Sequence, residues 1–201
     1  MKYKFIFLRH GRSLADDEHK HEGRYDSPLT DIGKQQAEIT AQKLRGYDFD
    51  LIITSPLKRA LEAAKIISKT LNVEIEINDL LKERDNGILA GMSFDEATNK
   101  YPEPKNKSIY QNFPQNSGEN EIQLNSRALQ SINSIIKRNP GNYLIVSHGT
   151  ILNAIIKQIL KMPIGNMGAS TIFRFKDNGY IEMDYLLEKD LWLFNRMDNG
   201  L

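Results

Sequence analysis

Residues 3–11 read Tyr3-Lys4-Phe5-Ile6-Phe7-Leu8-Arg9-His10-Gly11, a short apolar run that stops abruptly on arginine, histidine and glycine. The run is too short for a core helix and rich in aromatic and aliphatic side chains, which reads as a strand buried on both faces. Two later segments repeat the pattern. Leu51 to Thr54 runs into Ser55-Pro56, and Tyr143 to Ser147 runs into His148-Gly149. Val73 to Ile77 alternates apolar and polar residues, as a half-buried strand does.

Helical patterns separate these strands. Asp31 to Leu44 places Ile32, Ala37, Ala41 and Leu44 near one stripe. Ser55-Pro56 reads as an N-cap followed by proline at the first helical position, opening a helix that reaches about Leu71. Glu119 to Arg138 carries Leu124, Ala128, Leu129, Ile132, Ile135 and Ile136 at helical spacing, and Gly149 to Lys161 is a further apolar helix ended by Pro163. Thr171 to Phe175 and Tyr180 to Leu186 are expected as late strands around the turn Asp177-Asn178-Gly179. Strands alternating with helices predict a three-layer α/β fold with a mostly parallel central sheet flanked by helices. No repeat or linker divides residues 1–201, so one domain is expected, with a small cap region around 93–121. Ligands of such sheets bind beyond the carboxyl ends of the strands. Arg9-His10-Gly11, Ser55 to Arg59 and His148-Gly149 are therefore expected to meet at one sheet edge.

Composition narrows the functional class. The 201 residues are 40% hydrophobic and 26% charged, with a formal net charge of +1. That balance suits a globular core and gives no electrostatic footprint for wrapping nucleic acid. There is no cysteine, which removes disulfides, thiolate catalysis and thiolate zinc sites. No apolar run approaches a membrane span or the core of a signal peptide, so no membrane partner and a cytoplasmic location are expected.

Two histidines gathered with Arg9 and Arg59 make a poor cation site, because the arginines repel a metal. The same set suits a phosphate dianion, which guanidinium forks match in shape and charge. Nearby arginines would also hold His10 neutral, the form that is nucleophilic toward phosphorus. Helix N-termini near Ser55 and Gly149 would add amide donors. Glu83 is the candidate acid for the leaving oxygen, with Glu62, Asp85 and Glu119 as rivals.

Five ordered blocks then carry a specific resemblance. They are Leu8-Arg9-His10-Gly11 with Ser13; Gly23 to Thr30 with Gly33, Gln36 and Ala37; Ser55-Pro56-Leu57-Lys58-Arg59-Ala60; Leu81-Lys82-Glu83-Arg84 with Gly87 and Gly91; and Val146-Ser147-His148-Gly149. Together they resemble the histidine phosphatase superfamily, which includes cofactor-dependent phosphoglycerate mutases. The resemblance implies that His10 becomes phosphohistidine, that Arg9, Arg59 and His148 bind the phosphoryl oxygens, and that Glu83 donates the proton. It implies a phosphoglycerate mutase-like fold, a small phosphorylated substrate, and no metal or organic cofactor. Arg12, Ser13, Asp16, Arg24 and Gly149 complete the candidate substrate-binding set. For Arg24 a structural ion pair is the standing alternative.

Three positions depart from the family pattern. Arg12 stands where Glu or Gln is usual, Asp16 where an asparagine often contacts phosphate, and Ala90 where phosphatase relatives often carry glutamate. A carboxylate beside phosphate repels it unless paired or turned away, and Arg12 is the expected compensating partner of Asp16. His19 and His21 read as a solvated loop, Gly118-Glu119-Asn120 with Arg127 as a weak block that starts a helix, and Trp192 and Phe194 as packing residues. Tyr101, Lys105, Lys107, Tyr110 and Phe113 are candidate cap residues. The short stretch from Glu83 to His148 leaves the site open to water and favours a phosphatase. A cofactor-dependent mutase and a non-catalytic phospholigand-binding module remain as alternatives. The sequence leaves the oligomeric state open, a dimer included.

Overall fold

The computed structural model describes residues 1–104, 108–165 and 171–200. Its centre is strand β1, Lys2–Arg9, whose side chains alternate between two cores. Tyr3, Phe5 and Phe7 enter one, and Ile6 and Leu8 enter the other. This explains the apolar run from Phe5 to Leu8: both faces are covered there, whereas Lys4 nearer the start of the strand is exposed. Each such side chain contributes about 1.5–3 kcal/mol of burial.

Strands β2 (Leu51–Thr54), β3 (Ile75–Ile77), β4 (Asn142–Ser147), β5 (Tyr180–Leu186) and β6 (Leu191–Asp198) complete a six-stranded sheet in the order β3-β2-β4-β1-β5-β6. The first four in that order run parallel, while β5 and β6 are antiparallel, so the sheet is mixed. Helices α2 (Asp31–Lys43) and α3 (Lys58–Leu71) cover one face. Helices α5 (Glu121–Ile136) and α6 (Gly149–Ile159) cover the other. Two short helices, α1 (Leu14–Asp17) and α4 (Phe94–Lys100), lie in the connections.

Several local expectations are corrected. Ile32 is 55% exposed and Leu129 is 44% exposed, so neither belongs to its helix's buried stripe. On α2 the buried line is Gly33, Ala37, Thr40 and Ala41. Gly33 is required because a Cβ there would strike the carbonyl oxygen of Arg12. Helix α3 starts at Lys58 with Leu57 at its cap, not at Ser55-Pro56, and Ser55 serves the site instead. Residues 171–175 are not a strand. Asn153 bonds the Phe173 backbone there, accepting from Phe173 N at 2.7 Å and donating to Phe173 O at 2.7 Å. The hairpin partner of β5 is β6, where Trp192 stacks on Tyr185 while Phe194 is 48% exposed.

Between Glu83 and α5 the described residues hold one another through local contacts. Ser117 Oγ accepts from Ile88 N at 2.9 Å, and Gly87, at φ 55°, leaves room for that serine. A cavity of about 420 Å³ lies here, with Leu89, Tyr101, Phe113 and Pro114 in its wall. Tyr110 is 70% exposed, and Lys105 and Lys107 lie outside the described residues.

Candidate active site

Strand register brings the chemical segments together. Arg9 pairs with Ser147 and Thr54 with Val146, so β1, β4 and β2 end level with one another. The next residues are His10, His148 and Ser55. Their backbones are pinned there: His10 N donates to Ser147 O at 3.0 Å, and Ser55 N donates to Val146 O at 3.1 Å. The two imidazole rings lie 5.0 Å apart at 64°.

His10 is 1% exposed. Its Nδ1 sits 2.7 Å from Gly11 O, which assigns the ring proton to Nδ1 and leaves Nε2 with its lone pair. Arg59 Nε donates to that Nε2 at 3.2 Å. Burial holds the His10 pKa well below its ordinary value, and Arg59 and Arg9 push it further down. The result is a neutral imidazole whose nucleophilic atom is Nε2, which accepts from Arg59.

His148 is fully buried, with its pKa also held down by burial first and by Arg59 next. Its Nε2 lies 2.8 Å from Ser55 Oγ, and that oxygen already accepts from Leu57 N. The serine hydroxyl can therefore donate to Nε2, which puts the ring proton on Nδ1. Among the described residues Nδ1 has no hydrogen-bond partner. His148 thus carries an uncharged, unspent donor.

The arginines are held in place by carbonyls. Arg59, fully buried, donates through Nη1 to Tyr25 O at 2.9 Å and through Nη2 to Gly23 O at 2.8 Å. Those carbonyls give a positional role to the Gly23–Tyr25 segment. Arg9 Nη1 donates to Phe175 O at 3.0 Å, and its guanidinium stands 3.6 Å from Asp177 and 4.0 Å from Asp16.

Glu83 is buried. Its Oε2 accepts from Thr150 N at 3.0 Å, and its Oε1 accepts from Ile151 N at 3.0 Å and Arg84 N at 2.7 Å. Amides at the α6 N-terminus are thus used by Glu83, a favourable end for a carboxylate. At the helix start near Ser55, Lys58 N donates to Asp26 Oδ1 at 2.7 Å. Arg127 fixes the Glu83 loop, donating to Leu80 O at 2.8 Å and Lys82 O at 2.6 Å while its fork grips Glu119. Arg9, Glu22, Glu83, Gly149, Thr150 and Asn153 line a cavity of about 230 Å³.

The remaining candidates divide. Ser13, fully buried, caps α1 together with Asp16, whose Oδ2 accepts from Ser13 N at 2.9 Å. Asp16 is thus turned into a capping box. Arg12 pairs with Asp17, not with Asp16, and its side chain is 43% exposed. Arg24 forms ion pairs with Asp85 at 3.2 Å and Glu119 at 3.3 Å. His21 lies edge-on to Phe94.

The sequence reading missed Glu22. Its Oε1 is 3.2 Å from Arg59 Nε and its Oε2 is 3.9 Å from His10 Nε2. Ser13 Oγ also donates to Glu22 Oε1. Burial pushes the Glu22 carboxyl above its usual range despite the opposing pull of Arg59. The only signal in the chain was position: Glu22 directly precedes the block that begins at Gly23.

Comparison with known proteins places this geometry. The model of the histidine phosphatase superfamily (branch 1) matches residues 5–182. An uncharacterised phosphatase, PhoE, of Bacillus subtilis is 34% identical over 153 residues, 76% of this chain and 75% of the relative. A probable phosphoglycerate mutase, GpmB, of Yersinia pestis is 28% identical over 191 residues, 92% of this chain and 86% of its own. Among solved structures, a mycobacterial glucosyl-3-phosphoglycerate phosphatase superposes with a TM-score of 0.84 at 19% identity, covering all of both chains. An Escherichia coli protein described as a putative α-ribazole-5′-phosphate phosphatase reaches 0.85 at 22% identity, covering 99% of this chain and 98% of that one.

Proposed function

Because the chain belongs to the histidine phosphatase superfamily (branch 1), we propose that it hydrolyses small phosphomonoesters through a phosphohistidine formed on Nε2 of His10. The observation that carries this reading is the state of His10: buried, neutral, its Nδ1 proton on Gly11 O and its Nε2 lone pair directed among donors.

In the first half-reaction Nε2 attacks phosphorus, the bond from phosphorus to the ester oxygen breaks, and the departing alkoxide takes a proton from Glu83. In the second, Glu83 takes a proton from water, the water oxygen bonds to phosphorus, and the phosphorus–nitrogen bond breaks to release phosphate and free His10. Arg9 and Arg59 stabilise the oxygens during both transfers, and His148 Nδ1–H donates to one of them without adding charge. Gly149 and Ser13 shape the phosphoryl end. The cap region around 93–121 shapes the alcohol end. Asp16, Arg12 and Arg24 act on the site through their ion pairs and caps.

Turnover of p-nitrophenyl phosphate that is abolished in His10→Ala is the expected result. A parallel incubation with 3-phosphoglycerate and a trace of the 2,3-bisphosphate separates the alternatives. Isomerisation without net phosphate release would convert the assignment to a mutase. Phosphate binding without turnover of any phosphoester would reduce it to a binding module.

A further inference from the structure

Glu22 Oε2 lies 3.9 Å from His10 Nε2, so a phosphoryl group bonded to that nitrogen comes within contact range of the Glu22 carboxyl. The Glu22 carboxyl also occupies the Nε side of Arg59, at 3.2 Å, the side of the guanidinium that faces His10. Two oxyanions cannot share such a space while both are ionised. We propose that Glu22 is a proton-gated phosphate ligand. As the carboxylate it fills the anion position between Arg59 and His10; as the neutral acid it donates a hydrogen bond to a phosphoryl oxygen, so that each phosphoryl group entering brings one proton with it.

The groups around Glu22 favour this exchange. From α3 the Arg59 cation faces it, and from the turn before α1 Ser13 Oγ donates to Oε1. Asp16 on α1 opposes its ionisation and Arg9 on β1 supports it, while neutral His10 adds no charge. Glu83 lines the same cavity and is the second carboxyl group there. Burial already disfavours the Glu22 carboxylate. A dianion arriving beside it adds repulsion, and loss of the carboxylate's charge leaves the Arg59 cation to be balanced by the phosphoryl oxygens.

The proposal rests on the phosphohistidine reading of the same site and is tested apart from it. Inorganic phosphate is titrated calorimetrically into the wild-type protein and Glu22→Gln at mildly alkaline pH, in buffers of different ionisation enthalpy. Wild type is expected to take up about one more proton per phosphate than Glu22→Gln, whose amide donates at every pH. The ratio kcat/KM of wild type for p-nitrophenyl phosphate is expected to fall about tenfold per pH unit above the Glu22 ionisation, and this limb is absent from Glu22→Gln. Glu22→Ala, lacking the donor, is expected to bind phosphate more weakly than Glu22→Gln under acid conditions. Equal proton uptake by wild type and Glu22→Gln, or an unchanged alkaline limb, overturns the role of Glu22 and leaves the phosphohistidine intact. Hydrolysis that survives His10→Ala overturns both.

Discussion

Mild acid is expected to destabilise this protein steeply, because its two site histidines are buried without charge. His10 is 1% exposed and His148 0%. For both, burial and then Arg59 hold the folded pKa well below the ordinary histidine value. In the unfolded chain each takes a proton at about pH 6.5. Below that pH the unfolded state therefore binds up to two more protons than the folded one, and stability falls as pH falls. The slope is about 1.4 kcal/mol per pH unit for each histidine, about 2.7 for the pair. Glu22 and Asp177 act in the opposite sense nearer the carboxylate range, since burial raises their folded pKa and they bind protons before the unfolded chain does. The steepest loss is thus expected between about pH 6.5 and 5. Urea unfolding across that range measures it directly. His10→Asn and His148→Asn are each expected to lower the slope by about half. A slope untouched by either replacement would refute the assignment of both rings as neutral and buried.

Three further outcomes follow from single contacts. Arg127→Met removes the clamp on the carbonyls of the Glu83 loop and is expected to lower kcat about 100-fold with a smaller change in KM, measured by steady-state hydrolysis. Glu121→Leu leaves Arg84 buried without the carboxylate it bonds at 2.7 Å, which is expected to cost about 3–5 kcal/mol in denaturant unfolding. Gly33→Ala drives a methyl group against the Arg12 carbonyl; a loss of about 1–3 kcal/mol is expected from overpacking, together with weaker phosphate binding as the His10 loop shifts.

Where the sequence carried the fold, it did so through burial. Continuous apolar runs at Phe5–Leu8, Ile52–Ile53 and Leu144–Val146 have no exposed face, so their strands and their shared edge were legible, and with them the meeting of His10, Ser55 and His148. Strand β6 was not legible. It is an edge strand, largely exposed, and β5 meets it through a register shift between Glu182 and Met183, so its pattern follows neither period. The apolar stretch before Phe175 reads as a strand, yet the amide and carbonyl of Phe173 bond the Asn153 side chain rather than a neighbouring strand. Ser55 has the composition of a helix cap and is held by His148 instead. Glu22 shows the limit most clearly. It lies in an irregular segment with no period, and only the path of the chain from α1 back to Arg59 brings its carboxylate to His10.

The central claim concerns one bond. The protein is mixed with p-nitrophenyl phosphate, quenched in base, and analysed by phosphorus NMR and peptide mass spectrometry, with Glu83→Gln used to slow release of the phosphoryl group. The account predicts a base-stable, acid-labile phosphoryl group on Nε2 of His10, absent from His10→Ala. Phosphate attached to any other residue, or hydrolysis at an undiminished rate in His10→Ala, would contradict it.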